Sequence, residues 1–140
     1  MRALKEQIRE AIRREKEAYD LYRRVLASTT DAARRELTAR LADDAARHLS
    51  IIERVCRKHA ASLRTFIQHF VPETDVAPGD EAALLEALKS AVEHKRELLD
   101  LYSALAEAKE APHWDEMFRE LVAAEQEHLK FVQTHLPSMQ

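Results

Sequence analysis

Apolar side chains recur at alternating steps of three and four residues in four stretches of this chain, the spacing that places them on one side of an α-helix. The first stretch runs from about Arg2 to Ala27, and the second runs from about Asp31 to His59. The third runs from about Glu81 to Lys109, and the fourth runs from near Pro112 to about His135. The pattern therefore predicts an all-α protein built from four helices.

The lengths of the connections indicate how these helices are arranged. The first and second helices are separated by only a few residues, as are the third and fourth, so each pair is expected to form an antiparallel hairpin. About 20 residues separate the two hairpins, which is enough chain to cross a bundle from end to end. We therefore predict a single domain, 1–140, with hairpin 1 at about 1–60, a crossover at about 61–80 and hairpin 2 at about 81–136.

The second hairpin repeats the first at a fixed offset of 80 residues. An ungapped comparison of the first 60 residues with the last 60 gives 12 identical positions. Among these positions, Tyr22 is matched by Tyr102 and His48 is matched by His128. The ungapped register and the matched aromatic and imidazole side chains indicate an internal repeat.

Each apolar stripe is interrupted at one level near its middle by charged or imidazole side chains. An unpaired charge in a protein core costs several kcal/mol, so these groups are expected to meet one another or a metal ion. Glu125 and His128 lie three residues apart on one helix, so both point to the same side and can bind one ion. The residues of this level are Glu15, His48, Lys95, Glu125 and His128.

Around these positions the sequence resembles the rubrerythrin branch of the ferritin-like superfamily. The segment EKEAYDLY, from Glu15 to Tyr22, resembles that family's first-helix Glu with a Tyr seven residues on, and EQEH, from Glu125 to His128, resembles its fourth-helix Glu-x-x-His. The resemblance covers essentially all four helices and implies a ferritin-like four-helix bundle. In the family, one Glu from each of helices 1 and 3 and a Glu-x-x-His from each of helices 2 and 4 hold two irons. Such centres react with oxygen or peroxide, or oxidise ferrous iron.

Two of the family's ligand positions hold other residues in this chain. Ala45 replaces the Glu of helix 2 and Lys95 replaces the Glu of helix 3. Asp44 is a carboxylate, but it is one position off register, about 100° round the helix. Two dications would repel the Lys95 ammonium strongly, and only the two carboxylates of Glu15 and Glu125 would compensate these positive charges. We therefore expect a degenerate site without a di-iron centre, in which Lys95 takes the second metal's place between the two carboxylates.

The function expected from this resemblance is that of a bundle protein holding one metal ion or none, in a binding or structural role. The ion would be iron, zinc or manganese, with Tyr22, Tyr102 and Lys95 around it. The expected metal ligands are Glu15, His48, Glu125 and His128. Two alternatives stay open. One is an active iron-dependent oxidoreductase of peroxidase or ferroxidase type, which would need an electron-transfer partner, and the other is a buried ion cluster that binds nothing.

Composition and charge exclude several other classes. A net charge of −3 with interspersed signs is not the footprint of a nucleic-acid-binding protein, and no 18-residue apolar run predicts a membrane span. Cys56 is the only cysteine, so no internal disulfide can form. Met1 leads directly into a charged amphipathic stretch, so we expect no signal peptide and a cytoplasmic protein. The apolar segment Leu63–Phe70 is the expected contact surface of a homodimer.

Overall fold

The structure is a computed structural model that describes residues 2–59, 80–107 and 112–135. These residues form four helices, which confirms the prediction of an all-α four-helix bundle. None of the helices described is both long enough and apolar enough to cross a membrane. In chain order the helices are α1 (Arg2–Ser28), α2 (Ala32–His59), α3 (Glu81–Glu107) and α4 (Pro112–His135).

Aspartate side chains fix where α2 and α3 begin. The backbone N–H of Arg34 donates a hydrogen bond of 2.9 Å to Asp31 Oδ1 at the start of α2. The backbone N–H of Ala82 donates one of 3.0 Å to Asp80 Oδ1 at the start of α3. Each carboxylate satisfies an N–H that the first turn of a helix leaves without a partner, and this explains why the helices begin at these positions.

The helices occupy the corners of a square in an order set by their contacts. Helix α1 packs on α2 and α3, and α4 packs on the same two helices, so α1–α4 and α2–α3 form the diagonals. One apolar cluster joins the N-terminal halves of α1 and α4 to the C-terminal halves of α2 and α3. A second cluster joins the opposite halves. Helices α2 and α3 therefore run in the same direction, as in bundles with one crossover connection.

The parallel direction of α2 and α3 means that α2 ends at one end of the bundle and α3 begins at the other. Helix α3 has 27 residues and is therefore about 40 Å long. Twenty residues of extended chain reach at most about 70 Å, so residues 60–79 suffice to connect the two ends. Those residues, and with them the predicted dimer segment Leu63–Phe70, lie outside the described part of the chain.

A layer of polar side chains separates the two apolar clusters. In every helix the polar member lies between the residues that contribute to the first cluster and those that contribute to the second. All members of the layer are at most 5% exposed. The layer comprises Glu15, His48, Lys95, Glu125 and His128, the residues that interrupt the apolar stripes of the sequence.

Candidate metal centre

Three of the buried polar residues approach one another closely enough to hold one metal ion. Glu15 from α1, His48 from α2 and Glu125 from α4 each offer a ligand atom, and these atoms all lie within 4.8 Å of one another. His48 Nδ1 lies 3.1 Å from Glu15 Oε1 and 2.9 Å from Glu125 Oε1. Within the residues described, no other group of three or more His, Cys, Asp and Glu side chains meets this criterion. We call these three residues the ligand trio.

The carboxylate of Glu125 lacks the hydrogen bonds that a buried charge requires. His48 Nδ1 is hydrogen-bonded to Glu15, and neither oxygen of Glu125 has a hydrogen-bond partner in the described structure. Lys95 Nζ is 3.7 Å from Glu125 Oε2, which is an ion-pair distance but too long for a hydrogen bond. Burial of a carboxylate without such contacts is costly. The residues fit a cation, which would give the Glu125 oxygens direct ligand contacts in place of the hydrogen bonds that they lack.

Lys95 pairs with one of the two carboxylates between which the sequence led us to expect it. We predicted its ammonium between the two carboxylates, but in the structure a single nitrogen of His48 lies within 3.1 Å of both Glu15 and Glu125. The Lys95 ammonium forms an ion pair of 3.7 Å with Glu125. It lies 5.9 Å from the centre of the Tyr22 ring. A ring nitrogen of His48 is therefore within hydrogen-bond reach of both carboxylates, whereas the ammonium forms an ion pair with Glu125.

His128 is separated from the ligand trio although it is equally buried. Its Nε2 lies 3.3 Å from Asp44 Oδ2, and its ring centre is 6.2 Å from that of His48. His128 and Asp44 both line a groove between α2 and α4. The sequence pattern missed Asp44 because a rotation of about 100° takes it off the inward stripe, yet α2 packs on α4 as well as on α1. A residue at that angle faces the neighbouring helix and is partly buried, and the Asp44 side chain is 23% exposed.

The two matched tyrosines have different surroundings. Tyr102 Oη donates a buried hydrogen bond of 3.0 Å to Glu15 Oε1, whereas the buried hydroxyl of Tyr22 has no hydrogen-bond partner in the described structure. Burial raises the pKa of both phenols, and the Glu15 and Glu125 charges raise that of Tyr102 further. Both hydroxyls therefore keep their protons at neutral pH, and Tyr102 orients the Glu15 carboxylate.

Because only one tyrosine is hydrogen-bonded, the pair offers a matched test of this contact. We expect Tyr102→Phe to lower the free energy of unfolding by about 2 kcal/mol, since it leaves a buried carboxylate oxygen with one donor fewer. Tyr22→Phe should lower it by well under about 1 kcal/mol, because no hydrogen bond is lost. Urea unfolding of both variants in the presence of a chelator measures the difference. Equal losses would contradict the assignment of the Tyr102 bond.

The ionisation states follow from burial and from these charges. Burial alone would lower the pKa of His48, but the close approach of the Glu125 and Glu15 carboxylates to its ring nitrogen raises it to about 9. Burial and the Lys95 charge lower the pKa of His128 to about 3. Burial lowers the pKa of Lys95 too, but the negative groups around it outweigh this effect and raise it. At neutral pH two cations therefore balance two carboxylates, and a metal ion must displace a proton from His48.

Comparison with known proteins adds no family to this description. No family model matches the chain, and neither a curated protein nor a solved structure matches it. The resemblance to the rubrerythrin branch thus rests on the residues and segments of this chain alone.

Proposed function

We propose that this protein is a metal-binding bundle that holds one divalent cation with Glu15, His48 and Glu125. The observation that carries the proposal is the mutual approach of their ligand atoms, all within 4.8 Å and all buried. Carboxylate oxygens and imidazole nitrogens suit iron, zinc and manganese. Three protein ligands leave a coordination position for water or a small molecule, as in zinc sites that carry out chemistry.

Kinship with the rubrerythrin branch is part of this proposal. It is supported by the EKEAYDLY and EQEH segments and by the parallel direction of α2 and α3. The proposed site is a reduced version of the family's centre, since Ala45 and Lys95 stand at two of its ligand positions. A second dication beside the Lys95 ammonium would be strongly repelled in this buried layer. One ion is therefore expected, rather than two.

Metal content per chain tests the proposal. The protein is purified without a His-tag and equilibrated anaerobically with Fe(II), Zn(II) or Mn(II). We expect about one tightly bound equivalent, and a loss of affinity of at least about 100-fold in His48→Ala, which removes one ligand of the trio. The matched control is His94→Ala, which removes an exposed histidine.

The outcomes of this experiment separate the hypotheses. Two equivalents would contradict the role given to Lys95, and unchanged binding in His48→Ala would contradict the ligand trio. His128→Ala tests the fourth ligand expected from the sequence: because His128 lies beside Asp44, we expect this variant to keep most of its metal.

A metal-free ion cluster is a second candidate function for the same residues. It is favoured by the position of His48 between two carboxylates and by the nearby Lys95 ammonium, which together balance the buried charge. Such a cluster would hold the four helices in register without binding a ligand. An absence of tightly bound metal under all three conditions would favour this candidate.

A further inference from the structure

A cleft of about 390 Å³ opens between α1 and α3 and reaches the buried polar layer. Small side chains, including Ala18 and Ala91, line its walls and leave the space between the two helices unfilled. Glu15, Tyr22 and Lys95 form its floor, and all three are at most 5% exposed. The volume falls within the range of pockets that hold small molecules.

The floor of the cleft holds two polar groups that lie next to each other, the Tyr22 hydroxyl and the Lys95 ammonium. The Tyr22 hydroxyl is fully buried and has no hydrogen-bond partner among the residues described. The Lys95 ammonium carries three N–H donors, and its 3.7 Å distance from Glu125 Oε2 is longer than a hydrogen bond. An ammonium and a hydroxyl at the end of a cleft form a binding site for the oxygen atoms of an anion.

The charge of the metal-loaded layer indicates what kind of anion would bind. Two carboxylates, the Lys95 ammonium and a dication bound to a neutral His48 leave one positive charge in a buried site. A buried charge without compensation is unfavourable, so a monoanion would be attracted. A dianion would overcompensate this charge, and the other charges that line the cleft offer it no additional cation, because Arg13 pairs with Glu17 and Arg14 lies 3.9 Å from Glu97. Leu21 and Leu98 line the same cleft and provide apolar contact for a short hydrocarbon chain.

We propose that the α1–α3 cleft binds a short-chain monocarboxylate through Lys95 Nζ and Tyr22 Oη, and that a metal ion in the ligand trio strengthens this binding. The inference rests on the proposed function, because the positive charge that it requires comes from the metal. Coupling between two bound ligands is reciprocal, so the carboxylate strengthens metal binding by the same factor.

Calorimetric titration with butyrate, in a buffer free of other carboxylates, tests the proposal. We expect zinc-loaded protein to bind butyrate at least about tenfold more tightly than metal-free protein, and to bind 1-butanol, which has no charge, far more weakly. Lys95→Met should weaken butyrate binding at least tenfold while zinc stays bound. Tyr22→Phe, which removes one hydroxyl, should weaken it several-fold. Lys89→Met is the matched control, because Lys89 lies on the same helix but outside the cleft.

Each result decides a different part of the proposal. Unchanged butyrate binding in both Lys95→Met and Tyr22→Phe would place the carboxylate on the metal itself and overturn the cleft assignment. Equal binding by metal-free and zinc-loaded protein would overturn the coupling. Zinc content is measured separately in every sample. A protein that binds zinc but not butyrate contradicts only this inference, whereas a protein that binds no zinc contradicts the proposed function and the coupling with it.

Discussion

The metal-free protein is expected to be most stable near pH 6.5 and to lose stability toward both higher and lower pH. The alkaline loss comes from His48. Burial alone would lower its pKa, but Glu125 and Glu15 raise it to about 9 in the folded protein, against an ordinary histidine pKa of 6.5. Its contribution is therefore complete below pH 6.5 and is lost as the pH rises through 9. It amounts to roughly 3 kcal/mol, since one pKa unit corresponds to about 1.4 kcal/mol.

The acid loss comes from His128, for which the sign is reversed. Burial and the Lys95 charge hold its folded pKa at about 3, so the unfolded chain binds a proton at a pH where the folded protein does not. Stability is lost as the pH falls from 6.5 toward 3, by up to about 5 kcal/mol over the whole range. Most carboxylates titrate below pH 5, so the loss between pH 6.5 and 5 comes mainly from His128, with a contribution from His113, whose pKa is lowered by burial and by the neighbouring His59.

Urea unfolding measured at half-unit steps from pH 5 to pH 9, with a chelator present, tests both limbs of this profile. His48→Gln should be less stable and should lose the alkaline slope, whereas His128→Gln should lose most of the acid slope between pH 6.5 and 5 and keep the part that comes from His113. His94→Gln, which replaces an exposed histidine, should keep both slopes. An alkaline slope that survives in His48→Gln would mean that another group titrates there.

The fold and the composition of the polar layer could be predicted from the sequence. The stripes of apolar residues gave four helices whose ends lie close to the observed ones. A charged residue such as Glu15 or Lys95, placed on an otherwise apolar stripe, points to the same side of the helix as its buried neighbours. The sequence therefore predicted burial of the whole layer, and every member is buried in the structure. The lengths of the connections likewise predicted hairpins with one crossover.

The contacts within the layer could not be predicted in the same way. Helical periodicity gives the angle of each side chain around its axis, but not the relative heights of the helices or the rotamers. The position of His48 between the two carboxylates depends on those heights, and so does the 3.3 Å distance between Asp44 and His128. Reading the buried residues from one apolar stripe also assumes that only one face of each helix is buried. Because every helix of a square bundle contacts two neighbours, side faces such as that of Asp44 are partly buried too.

The double variant Ala45→Glu, Lys95→Glu is expected to bind two irons, one more than we propose for the wild-type protein. Both residues are buried in the polar layer or beside it, at the two positions where the chain departs from the rubrerythrin-like pattern. The substitutions add two carboxylates and remove the ammonium, so the layer would offer four carboxylates to two dications. If the site is of the family's kind, oxygen-dependent oxidation of ferrous iron should also rise, by at least about tenfold, because two irons can share the electrons.

Iron content per chain and the rate of ferrous oxidation measure these two effects. The single variant Ala45→Glu should still bind one iron, because the Lys95 ammonium continues to repel a second. A control with the same change in net charge, Ala83→Glu with Lys89→Glu, places the new carboxylates outside the polar layer and should also bind one iron. The free energy of unfolding of the metal-free double variant should fall, because four buried carboxylates repel one another, and iron should restore it. If the double variant is folded when loaded but still binds one iron, the layer is not a reduced di-iron centre, and the ligand trio alone defines the site.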